Sequence, residues 1–564
     1  MKHMTMFYTL LMLISTSVMA STTPVKVYTN GVILTMNDAM PQAEAVAVKD
    51  GKILAAGRKS EVMKKAGGKA ETIDLKGKTL MPGFIDSHSH LGLAGTKLAL
   101  ANMSNPPAGP ITSIEDIQQG FRDWIKEHQI KPGDGRVAAG WGYDHTQLKE
   151  HRHPTRDDLD KVSKDIPIVL IHFSTHQTVL NTPALKLFKI NENTPDPEGG
   201  RILREKDGKT PNGILQETAS IPVKLKIFGA TYEEKKRRIL MAQQNYLENG
   251  FTTAQEAAVL DQEWVDAFRH LGRDGDLKLD VAGLAFFKVA DELLANYEKD
   301  RQYKNHFRLA GVKLILDGGS PGRSAFLRDP YYVQKEGEKY FRGVPLFPKQ
   351  EDIDRMVAGY YEKGWQAYIH ALGDAAVDQA IHAIEGAEKK YPGKDRRTQI
   401  IHAQLFHEDQ IEKVASLDAT VSFQIAHVFY FGDFHRQETF GPQLAEHLCP
   451  VRSALDHGLS VSIHHDAPVH PADQLFLIWN AVNRVTRSGH VLGPNERISV
   501  MDALKASTIN AAYQLKEEKI KGSIEPGKLA DFVVLSDNPL SIDPMKLKDI
   551  KVLETIKEGQ TVFK

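Results

Sequence analysis

The chain has one cysteine, Cys449. That excludes an internal disulfide, even in an oxidising compartment, and it excludes a zinc site built from several thiolates. Any metal would have to be held by imidazole, carboxylate or a modified lysine. An excess of one charge is also missing: 71 Lys and Arg stand against 72 Asp and Glu. This balance gives no electrostatic case for nucleic acid or an anionic membrane as partner, and it points to a small molecule. Beyond the first twenty residues no uninterrupted apolar run reaches the roughly 20 residues that a bilayer-spanning helix needs.

Those first residues form a pattern of their own. Lys2 precedes an apolar run from Met6 to Val18, followed by Met19 and Ala20. A basic start, a short apolar core and a small-residue end make a secretory signal over residues 1–20, with an uncleaved anchor as the alternative. The expectation is an exported protein, periplasmic or secreted, with no stable membrane insertion after cleavage. Its oligomeric state stays open, a homodimer included.

The remainder exceeds what one hydrophobic core usually serves. From residue 25 to 80 short β-like runs alternate with turn residues, and the same texture returns over 522–535 and 552–563. Alternation and glycine punctuation predict antiparallel strands, with the two chain ends (21–80 and 519–564) pairing into a small β-sandwich. Between them, over 81–518, strand-like runs alternate with helix-like stretches, as parallel strands with helical crossovers do. The runs at 83–86, 251–255, 279–284, 311–317, 366–370, 399–404, 419–424 and 459–466 number eight. This is the count of a TIM-type (β/α)8 barrel, so the fold class expected is α/β. Two further β-like runs, 137–143 and 168–173, together with a Gly/Pro/charge-rich region over 194–211, assign residues 105–230 to a lid-like module inserted after the first barrel strand. Ser499-Val-Met-Asp502 has the form of a capping box and marks the start of the last helix.

What is abundant is histidine, 23 residues, several on apolar strand-like runs. The first barrel strand ends in Asp86-Ser-His88-Ser-His90. Residues two apart on a strand point to one face, so both imidazoles can meet one ion, although a lone His-x-His serves ordinary hydrogen bonding equally well. The signal sharpens because other strands end alike, with His370, His402 and Asp466. Barrel active sites are built at those C-terminal strand ends. Lys313 lies in 311–317, where Lys313, Ile315 and Asp317 share a face. An unpaired ammonium pointing into a barrel is costly and tends to lose its proton, and a neutral amine can take up carbon dioxide as a carbamate. Residue spacing alone favours the plainer alternative, an ammonium paired with Asp317.

The run Leu80-Met-Pro-Gly-Phe-Ile-Asp-Ser-His-Ser-His90, with 311–323, His370-Ala-Leu-Gly-Asp374, Ile401-His-Ala-Gln404, His465-Asp-Ala-Pro468 and Gly527-Lys-Leu-Ala-Asp531, resembles the amidohydrolase superfamily. Within it the chain is similar to the branch that contains N-substituted formamide deformylases. The resemblance implies that His88, His90 and Asp466 hold one metal, that His370 and His402 hold the other, and that a carboxylated Lys313 bridges them. Zinc is the ion implied, one or two per chain, and manganese, iron or nickel also suit such ligands. A metal-activated hydroxide would then attack the carbonyl of an amide-type substrate, with Asp466 as general base and then acid. The same site could cleave an ester, lactone or phosphotriester instead. A reading of another class, a non-catalytic exported binding or regulatory protein, has against it that all six ligand positions carry metal-binding types.

Two departures stand out. Where the family commonly has a small residue before the strand-eight Asp, this chain has His464-His465-Asp466. Alternation puts His464 on the face of Asp466 and sends His465 the other way, as a packing or hydrogen-bonded residue. His172-Phe-Ser-Thr-His176 with Asn181 resembles a family Gly-His…Asn segment with Thr175 replacing the Gly. His176 is thereby expected either over the barrel mouth, bonding a substrate oxygen, or anchoring the module. Trp141, Asp144 and Arg323 are candidate substrate-binding residues beside turn glycines, which are as commonly structural.

Overall fold

The computed structural model describes residues 24–295, 301–334 and 339–564. The signal expected over 1–20 lies outside them. Among the described residues no helix is long and apolar enough to cross a membrane.

Eight strands form the central sheet: β1 (Phe84–Ile85), β2 (Phe251–Val259), β3 (Asp280–Phe286), β4 (Phe307–Ile315), β5 (Gln366–Ala371), β6 (Gln399–His402), β7 (Thr420–Phe423) and β8 (Val461–Ile463). They hydrogen-bond in chain order, every pair parallel. Parallel neighbours need long crossovers, and helices such as Gln262–Arg273, Gln350–Glu362 and Asp374–Lys390 supply them. Past the ends of the two edge strands the chain meets itself again, where the His90 N–H donates to Ala467 O at 2.9 Å.

Alternation, reset in β4 by a register shift that leaves Ala310 without a partner on β3, sorts the strand residues into two faces. Leu309, Val312, Leu314, Ile369 and Ile400 face the helices and join the main core. Ile85, Leu284, Ala310, Tyr368 and Ile401 form a second, inner cluster, closed from below by Ala511 and Ala512. These two alanines belong to the helix Ile509–Gln514, which follows the helix Val500–Ala506. Ser499 caps the latter by accepting from Asp502 N at 3.1 Å, and so it starts the last helix but one.

A second sheet joins both chain ends. Its order is Gln560–Phe563, Val552–Lys557, Phe532–Leu535, Thr79–Pro82, Lys26–Leu34, Gln42–Lys49 and Lys52–Gly57, with Glu71–Asp74 also on Lys26–Leu34. The expectation of antiparallel strands is corrected in part. Lys26–Leu34 runs parallel to Glu71–Asp74 along its first half and parallel to Thr79–Pro82 near its end. Intervening chain, including the helix Lys59–Ala66, provides the crossover that parallel pairing requires.

A third sheet has six strands in the order Gly200–Arg204, Pro211–Glu217, Gln177–Leu180, Ile168–His172, Ala138–Tyr143 and Ala101–Asn102. It starts before residue 105, and the Gly/Pro-rich stretch contains the strand Gly200–Arg204, antiparallel to Pro211–Glu217. Within Ala138–Tyr143 the register shifts between Trp141 and Tyr143. Gly142 sits there at φ 121°, a backbone only glycine adopts freely. The bulge turns Trp141 and Tyr143 into different packing clusters.

Candidate active site

All six residues singled out at strand ends converge. His88 Nε2 lies 2.9 Å from Lys313 Nζ and 3.4 Å from Asp466 Oδ1. The same carboxylate oxygen is 3.4 Å from His90 Nε2. His402 Nε2 and His370 Nδ1 are 2.9 Å apart. One ligand atom each of His88, His402 and Asp466 falls within 4.8 Å of the others, which ties the two groups into one.

Backbone geometry contributes to this convergence. Ile401 belongs to the inner cluster, so strict alternation would send His402 outward. A left-handed φ of 80° turns it back, and Asp466 likewise has φ 56°. Such conformations cost a non-glycine residue about 1–3 kcal/mol each and tend to persist where function demands them.

Electrostatics favour neutral imidazoles. Burial first, and then the Lys313 charge, holds His88 and His370 well below the usual histidine value. His402 is held down in the same direction by burial and by its histidine neighbours. Burial also pushes the Lys313 amine down to about 7, with Asp466 opposing. Lys313 turns to His88 and not to Asp317, whose carboxylate accepts from the N–H groups of Phe326, Leu372 and Gly373 at 2.9–3.0 Å. The alternative of a Lys313–Asp317 pair is therefore set aside.

Whether such a group fits a metal can be tested on its unsatisfied atoms. Asp466 Oδ1 is buried without a hydrogen-bond partner, and His402 Nε2 and His370 Nδ1 face only each other, at 2.9 Å. A buried polar atom left so costs roughly 1–3 kcal/mol, and a cation among them removes that cost. The donor set, neutral nitrogens plus one carboxylate, is that of a divalent transition ion. The residues fit.

Two contributors, Gln255 and Gln424, carried no sequence signal. Gln255 Oε1 lies 3.0 Å from His88 Nδ1 and so fixes the proton there, which leaves Nε2 for the centre. Gln424 donates from Nε2 to Asp466 Oδ2 at 3.2 Å. His464, which alternation put on the Asp466 face, meets the His88 ring edge-on and the His402 ring at a tilt of 60°, with centroids 5.0 Å away in each case. His465 packs against Tyr246 and Phe251 and accepts at Nδ1 from Ala467 N at 3.0 Å, away from the centre. A glutamine in a strand looks like any other until the neighbouring strand's register is known.

Above the cluster lies a cavity of about 290 Å³, walled by Leu93, Trp141, Phe173, Phe431 and Val469, with His90, His370, His402 and Asp466 exposed to it. His176 is also on this wall, its Nδ1 2.8 Å from Glu217 Oε2. A second cavity of about 420 Å³ adjoins it across Phe173, His176 and Gly322, and Asp144 and Arg323 line that outer space. The Asp144 carboxylate caps the turn His145–Gln147, accepting from Thr146 N at 2.9 Å. Arg323 donates to Val333 O and lies over the Tyr331 ring. Asn181 is structural, accepting from Ile168 N at 2.8 Å and capping the helix Thr182–Leu187.

A parallel α/β sheet with imidazoles, a lysine and a carboxylate gathered at its C-terminal ends defines a metal-dependent hydrolase. The chain belongs to the amidohydrolase family, whose model matches residues 71–563. It is 28% identical to the N-substituted formamide deformylase of Arthrobacter pascens over 92% of this chain and 94% of that protein. It is also 28% identical to Protein LONG AFTER FAR-RED 3 of Arabidopsis thaliana, covering 95% of this chain and 91% of the relative. The crystal structure of an uncharacterized metal-dependent hydrolase from Pyrococcus horikoshii superposes with a TM-score of 0.74 at 26% identity, over 92% of this chain and 99% of the other. The protein is a hydrolytic enzyme of this metal-dependent family.

Proposed function

We propose that this enzyme hydrolyses a carbon–nitrogen bond other than a peptide bond, in an amide or an N-acyl or N-formyl amine. One observation carries the reading: Asp466 Oδ1 stands between His88 Nε2 and His90 Nε2, without a hydrogen-bond donor, on the floor of a cavity with apolar walls. The deformylase relative supports the choice of bond.

His88, His90 and Asp466 would hold one ion and His370 with His402 another, zinc being the first candidate. Lys313 would bridge them as a carbamate: its neutral amine adds to carbon dioxide, an N–C bond forms and a proton leaves. A bound divalent ion supplies a Lewis acid for the carbonyl oxygen and brings the pKa of water towards neutrality. The other steps belong to the chain. Asp466, oriented by Gln424, takes the proton from the attacking water and delivers it to the leaving nitrogen as the C–N bond breaks. His176, steadied by Glu217, bonds a substrate oxygen at the mouth. Leu93, Trp141, Phe173 and Phe431 take up an apolar substituent and exclude water.

The same proposal includes closure of the eight strands into a (β/α)8 barrel over 81–518, with 105–230 inserted and the two ends forming a flanking sandwich. It also includes export through residues 1–20, which N-terminal sequencing of protein recovered from the periplasm or medium would check. The functional test is a panel of N-formyl and N-acyl amines beside their ester, lactone and phosphotriester counterparts. Release of amine from the first set supports the reading. Turnover confined to the oxygen esters would replace it with an esterase or phosphotriesterase.

A further inference from the structure

We propose that His145, His153 and His172 form a separate binding site for one divalent transition cation, beside the outer cavity that His145 and His172 line and outside the strand-end cluster. One nitrogen of each residue lies within 4.8 Å of the others. His145 Nδ1 and His172 Nε2 are 3.3 Å apart. Two nitrogens, each about 2.05 Å from a tetrahedral zinc, stand roughly 3.3 Å from one another. The rings of His145 and His153 stack with centroids 3.8 Å apart.

On His172 and His153 the nitrogen turned away from the centre has a partner. His172 Nδ1 meets Ser174 Oγ at 2.7 Å, and His153 Nδ1 meets the Tyr143 hydroxyl at 3.0 Å. Metal-binding histidines are oriented in this way, one nitrogen bonded to the protein and the other free for the ion. Tyr143 can do so because the Gly142 bulge turns its side chain away from the face of Trp141. Asp144 adds a negative charge nearby, its Oδ1 3.9 Å from His145 Nδ1. Burial, reinforced by neighbouring imidazoles, holds His172 well below the ordinary histidine value and His153 near 4. The rings are thus neutral, the form that ligates.

Chain placement indicates what an ion would do there. His145 sits on the turn His145–Gln147, His153 follows on the same loop, and His172 ends the strand Ile168–His172. Beyond His172 the chain runs directly into Phe173, Ser174 and His176, which separate the two cavities. A cation would therefore tie the loop to the strand that carries the wall of the substrate cavity. No residue is shared with the strand-end site.

The test is to strip the full-length protein with a chelator, reload it with zinc chloride alone and count bound zinc. A variant disabled at the strand ends, His88→Ala with His90→Ala and His402→Ala, should still hold one equivalent. Adding His145→Ala and His153→Ala should remove that equivalent while the far-UV circular dichroism is kept. Equal zinc in proteins with and without the last two changes would overturn the proposal. Should these variants fail to fold, anomalous diffraction at the zinc edge from wild-type crystals decides. A peak among the three rings supports the site, and a filled strand-end centre with nothing between those rings refutes it.

Discussion

The two ends of the central sheet treat buried polarity in opposite ways. At the C-terminal ends, Asp466 Oδ1, His402 Nδ1 and both nitrogens of His464 are buried without partners. At the N-terminal ends a comparably buried set of charges is paired. Asp280, the first residue of β3, meets Lys521, lies 2.9 Å from Lys557 and takes a third contact from His306 at 2.8 Å. Lys557 continues to Asp531 at 2.8 Å, Lys521 to Glu517 at 3.1 Å, and Glu517 to Arg308 at 2.7 Å. One end leaves polar atoms available for a ligand, and the other neutralises its charges within the fold. Function and stability should therefore separate along the strand axis.

The largest expected effect lies at the open end. Asp466→Asn should lower kcat by roughly 10²–10⁴-fold, the usual worth of a general acid–base. Its circular dichroism should stay native, and a near-normal rate would remove Asp466 from the mechanism. Asp280→Asn is the mirror experiment: it leaves buried ammonium groups short of a partner and should cost about 3–5 kcal/mol in denaturant unfolding. The folded fraction should nonetheless turn over within about twofold of wild type, since Asp280 touches nothing in the cavity. A large loss of kcat there would collapse the distinction between the two ends.

Acid sharpens the same contrast. Burial alone would raise the Asp280 carboxyl, yet Lys521 and Lys557 outweigh it and hold the group well below the ordinary carboxylate range. A depressed carboxylate stabilises the fold above its unfolded value, near 3.9, and that contribution fades as pH falls further towards the folded value. Wild-type Tm should therefore drop more steeply below about pH 4 than that of Asp280→Asn. Parallel curves would count against the pairing. The smallest effect is expected at the mouth, where His176→Gln should reduce kcat/KM by about tenfold, roughly 1.4 kcal/mol, chiefly through KM. No change there would leave His176 as an anchor of the third sheet.

Much of the central sheet was legible from hydrophobic runs, because parallel strands buried on both faces read as continuous apolar segments such as 311–317 and 399–404. The strand-end residues were legible for a related reason: a polar ligand type closing an apolar run is conspicuous, as His370 and Asp466 are. Gln255 and Gln424 were not, since their roles depend on which strand lies alongside. Nor was the left-handed backbone at His402, which reverses the face that alternation assigns to it. In the third sheet the strand Gly200–Arg204 hid inside a Gly/Pro/charge-rich stretch, because an exposed edge strand needs little apolar residue. The parallel pairs of Lys26–Leu34 escaped for want of any local sign of the crossover between them.

The central claim is that ions at the strand ends are required for hydrolysis, and stepwise reloading tests it most directly. Chelator-stripped protein would be titrated with zinc while bound metal and amine release from an N-formyl amine are followed together. Turnover should be absent at the start, rise as the strand-end ligands fill, and never appear in a His90→Ala, His402→Ala variant. A full rate from ion-free protein would contradict the account.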